Sequence, residues 1–133
     1  MAGLLYPTEA VKLFRALKSR LLVPLTFHGH TTTGVSTLNA VIAMQEDIHT
    51  IDSAITPFAG GTSHPPIEVL IVFAEEMGID HGLNKKLILK IQKQLFDVFK
   101  QLVKSEKSKG KYYRPVSNQP VAREKVQKIL KCL

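Results

Sequence analysis

His28 and His30, in the stretch His28-Gly29-His30-Thr31-Thr32-Thr33-Gly34, are the residues of this 133-residue chain whose type and spacing carry chemistry. They follow directly on the apolar run at 21–27. In a strand alternate side chains share a face, so residues two apart aim at one point. Two neutral imidazoles converging there would bind a divalent cation. The spacing alone fits either a ligand pair or two solvated loop histidines. Position favours the first, because the pair sits at the carboxyl end of a predicted strand and opens a βα loop, where α/β proteins place their chemistry. It reads as half of a metal site.

Other reactive side chains point less sharply. His49 lies at a strand start and His81 beside Gly82 in a turn, positions that suit structural or solvated histidines. Asp52, near the end of the second predicted strand, fits two roles: orienting a ligand histidine from the neighbouring strand, or a helix-capping or core hydrogen bond. Cys132 has neither a histidine partner nor a motif around it, which argues against a nucleophile.

The elements that must position the pair can be read from periodicity. Pro7 and Thr8 open a helix, with Thr8 as expected N-cap, Glu9 in the first turn, and Val11, Phe14 and Leu17 at helical spacing. Residues 22–27 form a short apolar run that predicts a buried parallel strand. Helical spacing resumes over 35–44 through Val35, Leu38, Val41 and Ile42, and 49–55 alternates as a second strand. A turn-rich loop, 56–66, leads to a helix over 67–77 stopped by Gly78. Residues 83–104 are the longest periodic segment, with Leu87, Ile88, Ile91, Leu95, Val98, Phe99 and Leu102 making an apolar stripe. A linker is expected over 105–111 and a short helix over 121–130.

The order α-β-α-β-α-α predicts βαβ units and a parallel sheet. Two strands cannot close a barrel and leave two unpaired edges. The length fits a third to a half of a (β/α)8 TIM barrel of about 250 residues. The expected fold is therefore α/β: the last βα units of such a barrel over 1–82, an amphipathic helix over 83–104, and a basic tail over 105–133.

Composition agrees with a globular chain. Apolar residues make up 44%, enough for a core, and no stretch is long and apolar enough to span a bilayer. The N-terminus has no signal-peptide pattern, and the single cysteine suits a reducing, cytoplasmic setting. Residues 1–82 hold 4 Lys/Arg against 8 Asp/Glu, whereas 83–133 hold 14 against 3. The basic charge, +11 over 83–133 against −4 over 1–82, thus belongs to the C-terminal part, which lacks the aromatic interleaving of a nucleic-acid surface apart from Lys111-Tyr112-Tyr113-Arg114. We read it as a solvated lysine-rich face and expect no nucleic-acid partner.

Three segments in this order resemble the biotin-dependent carboxyltransferases, the family of the oxaloacetate decarboxylase alpha chain, the transcarboxylase large subunit and the carboxyltransferase domain of pyruvate carboxylase. They are Ala2-Gly3-Leu4-Leu5-Tyr6-Pro7, Val23-Pro24-Leu25-Thr26-Phe27-His28-Gly29-His30-Thr31-Thr32-Thr33-Gly34, and Ile51-Asp52-Ser53-Ala54-Ile55-Thr56-Pro57-Phe58-Ala59-Gly60-Gly61-Thr62-Ser63-His64-Pro65-Pro66. The resemblance covers about residues 1–80 and implies the C-terminal part of a metal-dependent barrel. It implies that His28 and His30 are metal ligands, with zinc, manganese or cobalt as the ion. The family's other protein ligands, an aspartate and a carbamylated lysine, would lie upstream of this sequence, the lysine just before Met1. Two histidines by themselves should hold a metal only loosely.

The resemblance further implies exchange of carboxylate between a 2-oxo acid and biotin, the biotin being carried by a partner carboxyl carrier domain. Thr33, Thr62 and Ser63 would then hydrogen-bond substrate or biotin, although a tight structural turn explains the 56–66 loop equally well. Partners expected on this reading are the carrier domain, a missing N-terminal barrel half or a second copy of the chain, and the 2-oxo acid. Lyases and aldolases of the wider metal-dependent superfamily share the His-x-His turn but continue with Asn or Asp where this chain has Thr31. A non-catalytic half-barrel that oligomerises is the third alternative. His64 departs from the family, which often has Gln at that place.

Overall fold

Pro7 lacks an N–H and has a preset φ, which suits the first position of a helix, where no donor is needed. In the computed structural model, which describes residues 4–108, Pro7 does begin helix α1 (Pro7–Arg20). The N-cap is therefore Tyr6 and not Thr8. The Tyr6 carbonyl accepts from Glu9 and Ala10 N–H at 3.0 and 2.9 Å, and the Glu9 carboxylate reaches back to the Tyr6 N–H at 3.4 Å.

Strand β1 (Thr26–Phe27), helix α2 (Val35–Gln45), strand β2 (Thr50–Ile51), helix α3 (Ile67–Glu76) and helix α4 (Lys85–Ser108) follow in the expected order. The strands pair in parallel, with Thr26 opposite Thr50 and Phe27 opposite Ile51. The ladder is shorter than the apolar runs suggest. Pro24 has no N–H to give, and Leu25 donates its N–H to the His49 imidazole at 3.2 Å, so pairing starts only at Thr26. Leu22 and Val23, expected to be buried, are exposed instead. Beyond β2 the sheet continues as a single parallel bridge between Ala54 and Pro66.

The core lies where α1 and α2 close on the strands. Ala10, Ala40 and Ala43 are fully buried, and their small side chains let the two helices approach closely. Phe14 meets Phe27 edge to face with ring centroids 5.6 Å apart. Ile42, Ile48 and Leu70 complete the cluster and tie α3 to it. Leu38, by contrast, lies on the exposed side of α2. Helix α2 starts at Gly34, whose φ of 84° is a left-handed value that glycine adopts without penalty. Helix α3 stops at Gly78 (φ 69°), with Ile79 N–H closing on Ala74 O at 2.8 Å.

Helix α4 runs to Ser108, four residues beyond its expected end at 104, because Ser105-Glu106-Lys107-Ser108 contains no glycine or proline to stop it. Ile88, Leu95, Phe99 and Val103 are half-buried, whereas Leu87, Ile91, Val98 and Leu102 of the expected stripe are exposed. Phe99 contacts Phe58 edge to face at 5.8 Å, and Lys85 pairs with Glu75 of α3. No helix among the described residues is long and apolar enough to cross a membrane. The basic tail beyond residue 108, the linker beyond that point, the expected helix at 121–130 and Cys132 lie outside the described residues.

Candidate metal centre

The ladder ends at Phe27, so His28 is the first residue beyond it, and the chain turns at once toward α2. Gly29 makes that turn possible: a Cβ there would stand 2.3 Å from Ser36 Oγ and 2.7 Å from Phe27 Cζ. Thr31 then fastens the turn to the loop after β2. Its N–H donates to Ser63 O at 2.8 Å, and its buried hydroxyl lies 2.9 Å from Ser63 O and 3.0 Å from Gly61 O. Two loops that are some thirty residues apart in sequence are thereby held side by side.

Three imidazoles meet at this junction. The rings of His28 and His30 are 5.2 Å apart, and His64, from the second loop, lies 4.5 Å from His28 and 4.7 Å from His30. One ring nitrogen of each lies within 4.8 Å of those of the other two. His28 is exposed; His30 and His64 are half-buried.

Each ring is also fixed from behind. His28 Nδ1 is 2.7 Å from Asp52 Oδ2, His30 Nδ1 is 2.6 Å from Thr62 O, and His64 Nδ1 is 3.1 Å from Gly29 O. A carbonyl oxygen can only accept, so His30 and His64 carry a proton on Nδ1, which in the neutral ring makes Nε2 the lone-pair atom. The Asp52 carboxylate imposes the same tautomer on His28. Of the two roles open to Asp52, the structure displays the orienting one.

Thr62 and Ser63 stand beside the cluster and hold it through their carbonyls; their hydroxyls take no part in these bonds. Thr33 is exposed, three residues past His30 on the first turn. His49 and His81 stay outside the cluster, each accepting a backbone N–H, from Leu25 at 3.2 Å and from Leu83 at 3.0 Å. They also line a cavity of about 630 Å³ between β2, α2 and α3 that contains none of the three clustered histidines. From sequence alone His64 registers only as a departure from Gln. The signal that could have found it is a ligand-type residue in the loop leaving the strand next to the His-x-His strand.

The donor set is chemically apt for a metal. Three imidazoles with tethered Nδ1 atoms suit zinc, cobalt or another borderline divalent ion, and no carboxylate competes from within the cluster.

A model of the HMGL-like family matches residues 1–95. The chain is 34% identical over 113 residues to a pyruvate carboxylase subunit of Methanocaldococcus jannaschii, covering 77% of this chain and 20% of that protein. It is 35% identical over 88 residues to the 4-hydroxy-2-oxovalerate aldolase of Pectobacterium atrosepticum, covering 66% of this chain and 26% of that one. The carboxyl transferase domain of Rhizobium etli pyruvate carboxylase, solved with pyruvate, superposes with a TM-score of 0.65 at 32% identity, over 69% of this chain and 16% of that one. The chain thus spans only 20% and 26% of the length of these two curated relatives.

Proposed function

The chain belongs to the HMGL-like family, and from that membership we propose that it is the metal-binding segment of a carboxyltransferase barrel, acting on a 2-oxo acid with biotin brought by a carrier domain. On this reading residues 1–82 are the last βα units of the barrel, with 83–104 a helix appended to it and 105–133 its basic extension. His28 and His30 hold the ion together with ligands from outside this chain. The observation that carries the reading is the pair of imidazoles just past β1, rings 5.2 Å apart, each with Nδ1 tied to an oxygen.

A divalent zinc, manganese or cobalt ion bound there would supply Lewis acidity toward the carbonyl and carboxylate oxygens of the 2-oxo acid. Everything else falls to the protein. Asp52 and the Thr62 carbonyl hold the two rings in one tautomer and orientation. Thr31 keeps both loops in register, so the ring positions are preset before substrate arrives. Thr33, Thr62 and Ser63 are assigned to substrate or biotin; the Thr62 carbonyl supports the His30 ring and the Ser63 carbonyl holds Thr31.

The test brings in the donors that this reading expects from outside the chain. The 133-residue chain is mixed with a polypeptide carrying the preceding strands of a carboxyltransferase barrel, then given Zn²⁺, Mn²⁺ or Co²⁺, oxaloacetate and free biotin, and pyruvate release is followed. Biotin-dependent release is expected from the complex, with a loss of at least about 100-fold in His28→Ala or His30→Ala. A second reading, aldol cleavage, draws on the 35% identity to the aldolase. Cleavage of 4-hydroxy-2-oxovalerate without biotin would select it. No turnover of either substrate by a well-folded complex would leave the non-catalytic half-barrel.

A further inference from the structure

We propose that His64 is a metal ligand, so that this chain carries a three-imidazole divalent-metal site made entirely of its own residues. The inference rests on the reading of His28 and His30 as ligands and goes beyond it. That reading needs donors from elsewhere in a barrel, whereas a third donor already stands here.

Three independent features converge on His64. Its ring lies nearer to His28 and to His30 than those two lie to each other, at 4.5 and 4.7 Å against 5.2 Å. Its Nδ1 is committed to the Gly29 carbonyl at 3.1 Å, which leaves Nε2 as the lone-pair atom, as in the other two rings. Its backbone is anchored, because the His64 carbonyl accepts from Gly60 N–H at 3.0 Å and the next residue, Pro65, is buried. A histidine present only to brace the loop would need no imidazole partners. Here the loop is already braced by Thr31 on Gly61 and Ser63.

The chemistry follows from the donor type. Three neutral nitrogen donors favour Zn²⁺, Co²⁺, Ni²⁺ or Cu²⁺ and disfavour the oxygen-seeking Mg²⁺ and Ca²⁺. The ring nitrogens lie within 4.8 Å of one another, and zinc, which holds imidazole at roughly 2.0–2.1 Å, would draw them closer on binding. Three protein ligands leave a coordination position for water or an anionic oxygen, the pattern of catalytic rather than structural zinc sites.

The experiment uses the 133-residue chain and the metals alone. Calorimetric titration with Zn²⁺ and Co²⁺ is combined with X-ray absorption at the metal edge, which counts imidazole neighbours. Wild type should bind one equivalent with three imidazoles and ignore Mg²⁺ at the same concentration. His64→Gln keeps a side-chain N–H for the Gly29 carbonyl while removing the ligand nitrogen. It should show two imidazoles and an affinity lower by at least the roughly 10–100-fold that loss of a supporting partner costs. A circular-dichroism melt of the same variant checks that the loop survives; if it is unfolded, His64→Asn replaces it. Unchanged affinity and imidazole count in a folded His64→Gln, with binding lost in His28→Gln, would overturn the proposal and leave the His28 and His30 reading intact. Absence of binding by wild type would overturn the three-imidazole site and leave the reading of His28 and His30 with outside donors intact.

Discussion

Asp52 decides how well His28 can serve as a ligand. A ligand histidine is useful only if the nitrogen facing the metal is unprotonated and the ring does not wander. The carboxylate 2.7 Å from Nδ1 provides both conditions. Both partners are about half exposed, so the pair contributes little to folding. Asp52→Ala is therefore expected to lower Zn²⁺ or Co²⁺ affinity by about 10–100-fold, while moving folding stability by less than about 1 kcal/mol. Asp52→Asn, which keeps an acceptor without the charge, should fall between. Calorimetric titration beside urea melts measures both quantities. Equal affinity in wild type and Asp52→Ala would remove Asp52 from the site. Asp52 and the His-x-His pair are legible in the sequence because residue type and strand register suffice to place them. His64 is not, because its approach depends on how Thr31 joins two loops, and no local pattern encodes that contact.

The helices are legible in order and nearly in extent, since their apolar spacing and the Gly34, Pro7 and Gly78 boundaries are local signals. The strands come out shorter than their apolar runs. A run such as 22–27 reports that something will cover it, and what covers it is decided by the neighbouring strand; Pro24 and the Leu25–His49 bond cut the ladder short. The junction of α1 with α2 shows a second kind of information that sequence conceals. Arg15 forks onto the Glu46 carboxylate at 2.9 and 2.8 Å, and Lys18 donates to the Glu46 carbonyl at 2.7 Å, joining the end of one helix to the side of the other. Hydrogen bonding from Arg15, aided by its charge, holds the Glu46 carboxyl below the usual carboxylate range. A folded-state pKa below the unfolded value stabilises the fold at every pH above the ordinary carboxylate pKa of about 4.3, and that contribution disappears as pH falls through the lowered value. Glu46→Gln should accordingly melt below wild type at neutral pH, with the gap constant down to about pH 5 and closing in stronger acid. Thermal melts at a series of pH values test the sign; a gap that widens with acid would contradict it.

Seen whole, the chain keeps its chemistry at one end of a sheet with two strands among the described residues. Leu4, Leu22 and Val23 are exposed, Leu22 completely. A parallel sheet is ordinarily covered on both faces, and open edges invite pairing with another chain. On the proposed reading, the surface to expect against Leu22 is the rest of a barrel, with a second copy of the chain as the competing occupant. Leu22 separates what a residue does for folding from what it does for assembly. Because it is fully exposed in this structure, Leu22→Asp should change the stability of the chain alone by no more than about 0.5 kcal/mol. If the side chain becomes buried on association, the loss is about 1.5–3 kcal/mol, or roughly 10–100-fold in affinity. Sedimentation of the chain with and without the upstream barrel strands reads the outcome. Weakened pairing with those strands, at unchanged melting temperature, is the result expected of a barrel segment. A variant that abolishes only self-association would assign the same edge to a second copy. Full-strength assembly in Leu22→Asp would mean that the open side is not the joining surface.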